Sequence, residues 1–260
     1  MGVVTDLFDL TGQVILTTGS SKGMGRCMAM ALAKHGAKVV VSSRKLDQCE
    51  GVVEEINSAC GEERAIPLAC NIGYKEQLEE LVAKTRETLG PIDTLVSNAG
   101  VNPFYGSMTD IPDDAFDKTI NSNVKSNHWL CQMVAPDMIA KGKGSIMITS
   151  STGAFAGSET LGTYNISKLA DIALVRNLAL EWGPKGVRVN AICPGLIKTD
   201  FAKALWDNPE AADRVTTQTP LRRFGESEDF EGVVVYLASD ASAYMTGQAV
   251  TICGGTHMYR

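Results

Sequence analysis

Tyr164 and Lys168 stand four residues apart in the run Gly162-Thr163-Tyr164-Asn165-Ile166-Ser167-Lys168, near the start of a long helical pattern. That spacing places a phenol and an ammonium on one helical face. A phenol is a weak proton donor at neutral pH, with an ordinary pKa of about 10. A cation held beside it favours the phenolate and lowers that value. The pair is therefore a candidate general acid/base. Such pairs also arise by chance on amphipathic helices, so the weight falls on what accompanies it.

The second chemical feature is Thr18-Gly19-Ser20-Ser21-Lys22-Gly23-Met24-Gly25. It follows a β-branched run and opens a helical one. Glycines let the chain turn sharply and approach a pyrophosphate closely. The helix behind them offers unpaired N–H groups and a positive dipole end to an anion. The spacing is Gly-x-x-x-Gly-x-Gly, and no Gly-Lys-Ser/Thr follows, which excludes a Walker loop. A dinucleotide is the expected ligand.

Other chemistries are poorly supported. The seven cysteines are odd in number, widely spaced and free of any Cys-x-x-Cys, which argues against a disulfide framework or a zinc site. The three histidines share no metal-ligand spacing. With a net charge of −6 and no basic stripe, nucleic acid is an unexpected partner. No apolar run reaches the roughly 18–20 residues that span a membrane, and the N-terminus lacks a secretory pattern. A cytoplasmic location is the simplest expectation.

The elements that must position these groups alternate along the chain. Strands are expected at 13–18, 38–43, 64–69, 93–97, 145–150, 187–193 and 249–252. Helices are expected at 23–35, 46–59, 75–89, 113–141, 163–183 and 228–238. The segment 196–225 reads as mixed and polar. Unbroken apolar runs such as Val39-Val40-Val41 and Ile146-Met147-Ile148 suit strands covered on both faces. Strand alternating with helix means a doubly wound, parallel α/β sheet. With 260 residues, 44% hydrophobic, and no linker or repeat, a single domain spanning 1–260 is expected.

Taken together, Thr18-Gly19-x-x-x-Gly23-x-Gly25, Ser97-Asn98-Ala99-Gly100, Tyr164-x-x-x-Lys168 and Pro194-Gly195 resemble the short-chain dehydrogenase/reductase family. The likeness runs from Leu10 to Gly255 with the motifs in family order. Val-Val-Val-Ser-Ser-Arg-Lys, Val-Ser-Asn-Ala-Gly-Val-Asn-Pro-Phe-Tyr-Gly and Pro-Gly-Leu-Ile-Lys-Thr further resemble its branch of NADP-dependent carbonyl reductases and retinol dehydrogenases. The resemblance implies a single-domain Rossmann fold of about seven parallel strands. It also implies a tetrad of Asn123, Ser151, Tyr164 and Lys168. Ser151 falls at the end of the fifth strand, where ligands bind in open α/β sheets; Ser150 and Thr152 are its neighbours and competitors. Asn is a poor helix former, so Asn123 inside the long helix points to a side-chain task; Asn121 competes with it. In the family the asparagine supports a water chain from the lysine to solvent.

The same resemblance implies cofactor contacts from Gly19, Ser21, Lys22, Gly23, Met24 and Gly25 in the turn. Asn98, Ala99 and Gly100 line the adenosine ribose, and Pro194, Gly195, Ile197 and Thr199 meet the nicotinamide and phosphates. Asn71, with Ile72 beside it, stands where the family usually has an Asp against the adenine. Tyr164 and Lys168 also face the nicotinamide ribose. An acidic residue after the second strand selects NAD. Ser43 stands there instead and Arg44 follows, with forked donors suited to a phosphate. NADP(H) is accordingly favoured over NAD(H).

Phe155, Leu161, Phe201, Leu205 and Trp206, with Ser151 and Tyr164, make an apolar substrate pocket the expectation, suited to a hydrophobic or aromatic ketone or its alcohol. A 3-ketoacyl thioester or a sugar or polyol is the alternative substrate, and a cofactor-binding regulator without chemistry is the remote one. A homotetramer is implied by analogy, through the helices that carry Asn123 and Tyr164.

Overall fold

The computed structural model describes residues 7–200 and 206–258. The short β-branched runs form strands β1 (Val14–Thr18), β2 (Lys38–Ser43), β3 (Ala65–Ala69), β4 (Thr94–Ser97), β5 (Gly144–Thr149), β6 (Val187–Pro194) and β7 (Ala249–Ile252). They join one sheet in the order β3-β2-β1-β4-β5-β6-β7, and every pairing is parallel. The order reverses between β1 and β4, which opens a crevice beyond their C-terminal ends. The register brings those ends level: Thr18 pairs with both Ser42 and Ser97, and Ser97 leads to Ile148.

The helices are α1 (Gly23–Lys34), α2 (Leu46–Cys60), α3 (Lys75–Leu89), α4 (Asp113–Ile120), α5 (Ser126–Lys141), α6 (Gly162–Trp182), α7 (Pro209–Gln218) and α8 (Glu231–Ala238). Side chains alternate across a strand, and both faces here are apolar. Leu16, Val40, Leu95, Ile146 and Val189 pack under Leu81 of α3, Leu130 of α5 and Val175 of α6. Ile15, Val39, Val41, Val96 and Met147 pack under Met28 of α1, Ile56 of α2 and Val234 of α8. Each such side chain contributes roughly 1.5–3 kcal/mol on burial, so the sheet is anchored from both sides.

One stretch departs from the uninterrupted helix expected over 113–141. A single π turn, Asn121–Lys125, separates α4 from α5. The wider turn breaks the regular hydrogen-bond ladder, and side chains four residues on take up the carbonyls. Ser126 Oγ donates to the Ser122 carbonyl at 2.6 Å, and Asn127 Nδ2 donates to the Asn123 carbonyl at 2.6 Å. Turns of this kind concentrate at functional sites, and this one carries Asn123.

The polar segment 196–225 also holds more order than its pattern announced, since α7 lies within it. Asn208 Oδ1 accepts from the Glu210 N–H at 3.0 Å, and Pro209 opens the helix. An Asn-Pro start is a capping signal legible in the sequence.

Candidate active site

The C-terminal ends of β1, β4, β5 and β6 and the first turns of α1 and α6 meet around the crevice. At its cofactor end, Gly19 adopts φ +63°, and a Cβ there would sit 2.8 Å from Ala99 Cα. Gly25 has no room for a Cβ either, with Asn98 Nδ2 at 2.6 Å. Asn98 Nδ2 donates to the Gly19 carbonyl at 3.0 Å, and the Asn98 and Ala99 N–H groups both reach Thr18 Oγ1 at 3.2 Å. The glycine turn and the turn after β4 are thus stitched into one surface. No side chain caps the start of α1, so its first N–H groups are left for an anion. Ser21 and Met24 flank this turn, and a Cβ on Gly23 would touch Thr199 Cγ2 at 3.4 Å. These residues fit a dinucleotide: the turn is shaped by missing side chains, and the helix start behind it carries no side-chain cap.

Ser20, passed over in the sequence, ties this turn to β2. It is fully buried, accepts from the Ser42 N–H at 2.9 Å, and its own N–H reaches the Ser42 carbonyl at 3.1 Å. That bond holds the end of β2, and with it Ser43 and the exposed Arg44, beside the glycine turn. Lys22 pairs with Asp200 at 2.8 Å across the mouth of the cleft. Asn71 Oδ1 accepts from the Gly73 N–H at 3.1 Å, and Ile72 packs on the core. Asn121, the competitor of Asn123, donates to the Gly73 carbonyl at 2.9 Å and so serves this loop.

The other end of the cleft is built on α6. Lys168 is 3% exposed, and its Nζ donates to the Thr149 carbonyl at 2.8 Å and to Asp171 Oδ2 at 3.1 Å. The same ammonium lies 5.8 Å from the Tyr164 ring centroid. Ser150 Oγ donates to the Lys168 carbonyl at 2.7 Å, which assigns Ser150 to anchoring β5 on α6. Thr152 Oγ1 donates to the Pro194 carbonyl at 3.1 Å. Both competitors of Ser151 are thus engaged with backbone. Ser151 Oγ accepts from the Gly153 N–H at 3.0 Å and opens a short 3-10 turn; its hydroxyl proton remains available to donate.

Asn123 is fully buried and clamps one residue from both sides. Its Oδ1 accepts from the Val101 N–H at 2.8 Å, while Nδ2 donates to the Val101 carbonyl at 2.9 Å and to Ser167 Oγ at 3.0 Å. Ser167 Oγ donates onward to the Tyr164 carbonyl at 2.7 Å. Gly100 lies over the junction: a Cβ there would meet Asn123 Oδ1 and Lys168 Nζ, each at 3.5 Å. The fold therefore brings Asn123, Gly100, Lys168 and Tyr164 together, with Ser151 between two residues that bond to neighbouring elements.

Burial pushes the Lys168 ammonium down, but the Asp171 carboxylate and then Tyr164 outweigh it and hold the ammonium above the ordinary lysine value. Desolvation pushes the Asp171 carboxyl up, against Lys168 and the Asn127 amide. The proton belongs on the amine, because the amine also donates to Thr149 while Asp171 accepts from Asn127.

On the substrate side, Leu161 and Tyr164 share a small apolar pocket with Phe104, Met108 and Ile111. The last three were missed in the sequence, although Phe104 lies just beyond Asn98–Gly100 at a strand end where ligands bind. Phe155 stacks on His257 at 4.5 Å and 15°, a contact across a hundred residues that no local pattern announces. Trp206 Nε1 donates to the Thr199 carbonyl at 2.9 Å. Gly195 donates to the Ile252 carbonyl at 2.9 Å, and Ile197 bridges to Gly225. Phe201 and Leu205 lie outside the described residues.

A doubly wound sheet with a glycine turn at its switch point and a phenol–ammonium pair at the same end defines a nicotinamide-type Rossmann oxidoreductase. The comparisons agree. The profile of a family described as "Enoyl-(Acyl carrier protein) reductase" matches residues 19–257. The human protein named dehydrogenase/reductase SDR family member 4 is 41% identical over 248 residues, covering 95% of this chain and 88% of that one. A 7α-hydroxysteroid dehydrogenase solved with NADH and 7-oxo glycochenodeoxycholic acid superposes with a TM-score of 0.93 at 35% identity, covering 97% of each chain. A gluconate 5-dehydrogenase from Burkholderia cenocepacia, solved with NADP and tartrate, superposes with a TM-score of 0.92 at 27% identity, covering 98% of each chain. The chain belongs to the short-chain dehydrogenase/reductase family.

Proposed function

We propose that this chain is an NADP(H)-dependent oxidoreductase that interconverts a carbonyl and a secondary alcohol, with Tyr164 as the general acid/base. The observation that carries the reading is the buried Lys168 ammonium 5.8 Å from the Tyr164 ring, with Ser151 two residues beyond the end of β5. When bound, the nicotinamide supplies or accepts the hydride. Ser151 and Tyr164 hydrogen-bond the substrate oxygen. Tyr164 gives its proton to that oxygen in reduction and removes it in oxidation. Lys168 stands beside the phenol and offers its remaining N–H to the ribose. Asn123 holds Val101 and the start of α6, so that Tyr164 meets the cleft in a fixed setting.

Gly19, Ser21, Gly23, Met24 and Gly25 would hold the pyrophosphate, with Asn98, Ala99, Gly100, Asn71 and Ile72 on the adenosine side. Pro194, Gly195, Ile197 and Thr199 would border the nicotinamide. NADP(H) is favoured because Ser43 replaces the acid that grips NAD, while Arg44 and Lys22 offer cations to a phosphate. Phe104, Met108, Ile111, Leu161 and Trp206 favour a substrate with an apolar body. A sugar acid is the second reading, favoured by the likeness to gluconate 5-dehydrogenase. Tetramer assembly rests on family analogy. Ile172, Val175 and Leu178 of α6 are used by the core, but Ile166, Leu169 and Leu180 are exposed and leave an apolar strip for a second copy. A cytoplasmic setting is supported by seven free cysteines; among the described residues no helix is long and apolar enough to cross a membrane.

The test is a panel of apolar ketones, ketoacyl thioesters and sugar acids scored with NADPH and NADH, in the wild type and in Tyr164→Phe. The expected result is NADPH-dependent reduction of an apolar ketone, lost by about 100-fold or more in Tyr164→Phe while cofactor still binds. A variant with wild-type turnover removes Tyr164 from the chemistry, and a strong preference for NADH reverses the cofactor assignment.

A further inference from the structure

Behind the acid/base pair, α6 carries a second ionisable group that this mechanism leaves unused. Asp171 follows Lys168 by one turn, is 0% exposed, and puts Oδ2 at 3.1 Å from the ammonium. Its Oδ1 accepts from Asn127 Nδ2 at 2.7 Å. Asn127 Oδ1 in turn accepts from Ser97 Oγ at 2.6 Å. Three elements, α6, α5 and β4, thus spend buried polar groups on one carboxylate. A buried carboxylate is costly unless it is paired and hydrogen-bonded, and here both oxygens are.

We propose that Asp171 is a positioning residue that keeps Lys168 an ammonium and holds its Nζ in the cleft, so that Tyr164 always has a cation beside it. This rests on the assignment of Tyr164 and Lys168 above. Lys168 is nearly sealed from water, and burial alone favours its neutral amine. The Thr149 carbonyl offers Nζ a dipole, whereas Asp171 offers a full charge. The other titratable groups facing the pair are the Tyr164 phenol on α6, the Cys193 thiol on β6 and the Cys131 thiol on α5. Burial pushes Cys193 up to about 11 and Cys131 higher still, so both are neutral near neutral pH. Asp171 is therefore the counter-charge that offsets desolvation of the ammonium. With the amine neutral, the cation that favours an ionised phenol is gone, and the proton donor changes character with pH.

Asp171→Asn keeps the shape and removes the charge; Asp171→Leu removes the polar group as well. Turnover is measured against pH in both directions, and Lys168 ionisation is followed by NMR of lysine labelled at Cε and Nζ. Asp171→Asn should stay close to wild type near pH 6 and lose about tenfold one pH unit above the point where its Lys168 titrates, a point that should lie at least about one pKa unit below that of the wild type. Asp171→Leu should move that titration further. A uniform loss at all pH values, or a profile parallel to wild type, makes the ion pair merely structural and overturns the proposal. So does a gain in oxidation at lower pH with Lys168 still charged, because Asp171 would then only be weakening the cation. If neither variant folds, the wild-type titration decides: a Lys168 below the ordinary value of about 10.4 overturns the proposal. Retained turnover in Tyr164→Phe would instead refute the tyrosine assignment, and the Lys168 titration would still measure what Asp171 does.

Discussion

Two lysines stand at opposite ends of one cleft and are held in opposite ways. Lys168 is 3% exposed and paired with a carboxylate that is 0% exposed. Lys22 pairs with Asp200 at a similar distance, but the two side chains are 68% and 71% exposed. The first pair cannot be broken without stranding a buried charge. The second lies in water, is worth at most about 1 kcal/mol and is screened by salt. The floor of the cleft is therefore fixed before any ligand arrives, whereas the mouth holds a cation whose partner is exchangeable. An acid/base group needs the first arrangement, and a phosphate grip tolerates the second.

The sharpest way to break this contrast is to loosen the floor. Asn123→Ala removes three hydrogen bonds, one buried and two part-buried, and leaves the Val101 N–H and carbonyl without their partners. The expected cost is about 2–4 kcal/mol in denaturant unfolding, with a fall in turnover from misplacement of α6. A loss below about 0.5 kcal/mol, the range of an ordinary surface substitution, would show that the floor is not built through Asn123.

A smaller effect belongs to the mouth. Lys22→Ala should change stability by less than about 0.5 kcal/mol, as an exposed pair predicts. It should weaken NADPH binding about five- to tenfold, the scale of one charge-assisted contact, and leave NADH unchanged. Asp200→Asn should do the reverse and tighten NADPH modestly, since it removes the anion that competes for Lys22. Titrations of both cofactors at low and high salt measure this. Equal losses for NADPH and NADH in Lys22→Ala would take Lys22 away from the phosphate.

The two ends of the cleft also differ in how much the sequence disclosed. The strands were legible because a parallel sheet covered on both faces demands unbroken β-branched runs, as in Val39–Val41. The glycine turn and the tyrosine–lysine spacing were legible because each is local. The π turn was not, because a shift of one hydrogen bond leaves the polar and apolar pattern of 113–141 intact. Asp171 was invisible for another reason. An acid three residues after a lysine reads as a solvated surface pair, and only the packing of α5 against α6 buries it. Lys22 was found by position, but its partner lies 178 residues away, beyond any periodic signal.

A third ion pair sits between the two extremes and tests whether exposure alone sets the scale. Arg223 and Asp229 meet at 2.6 Å where the segment after α7 returns to the sheet, with side chains 50% and 31% exposed. The Arg223 guanidinium first, and then the Glu226 N–H, hold the Asp229 carboxyl down at about 2, against 3.8 for a free aspartate. A carboxyl depressed by folding stabilises the protein above its unfolded value, and that contribution is lost as pH falls through 3.8 towards 2. With half of the Arg223 side chain and nearly a third of the Asp229 side chain in water, the full linkage energy does not apply, and about 1 kcal/mol or less is expected at neutral pH. Asp229→Asn should therefore unfold at slightly lower denaturant than wild type at pH 6, with the two curves converging near pH 2. A gap of several kcal/mol at pH 6 would place this pair with Lys168 and Asp171, as part of the rigid frame. No gap would place it with Lys22 and Asp200, and exposure would then matter more than the two-pronged contact in which Arg223 Nη1 and Nη2 each meet one Asp229 oxygen.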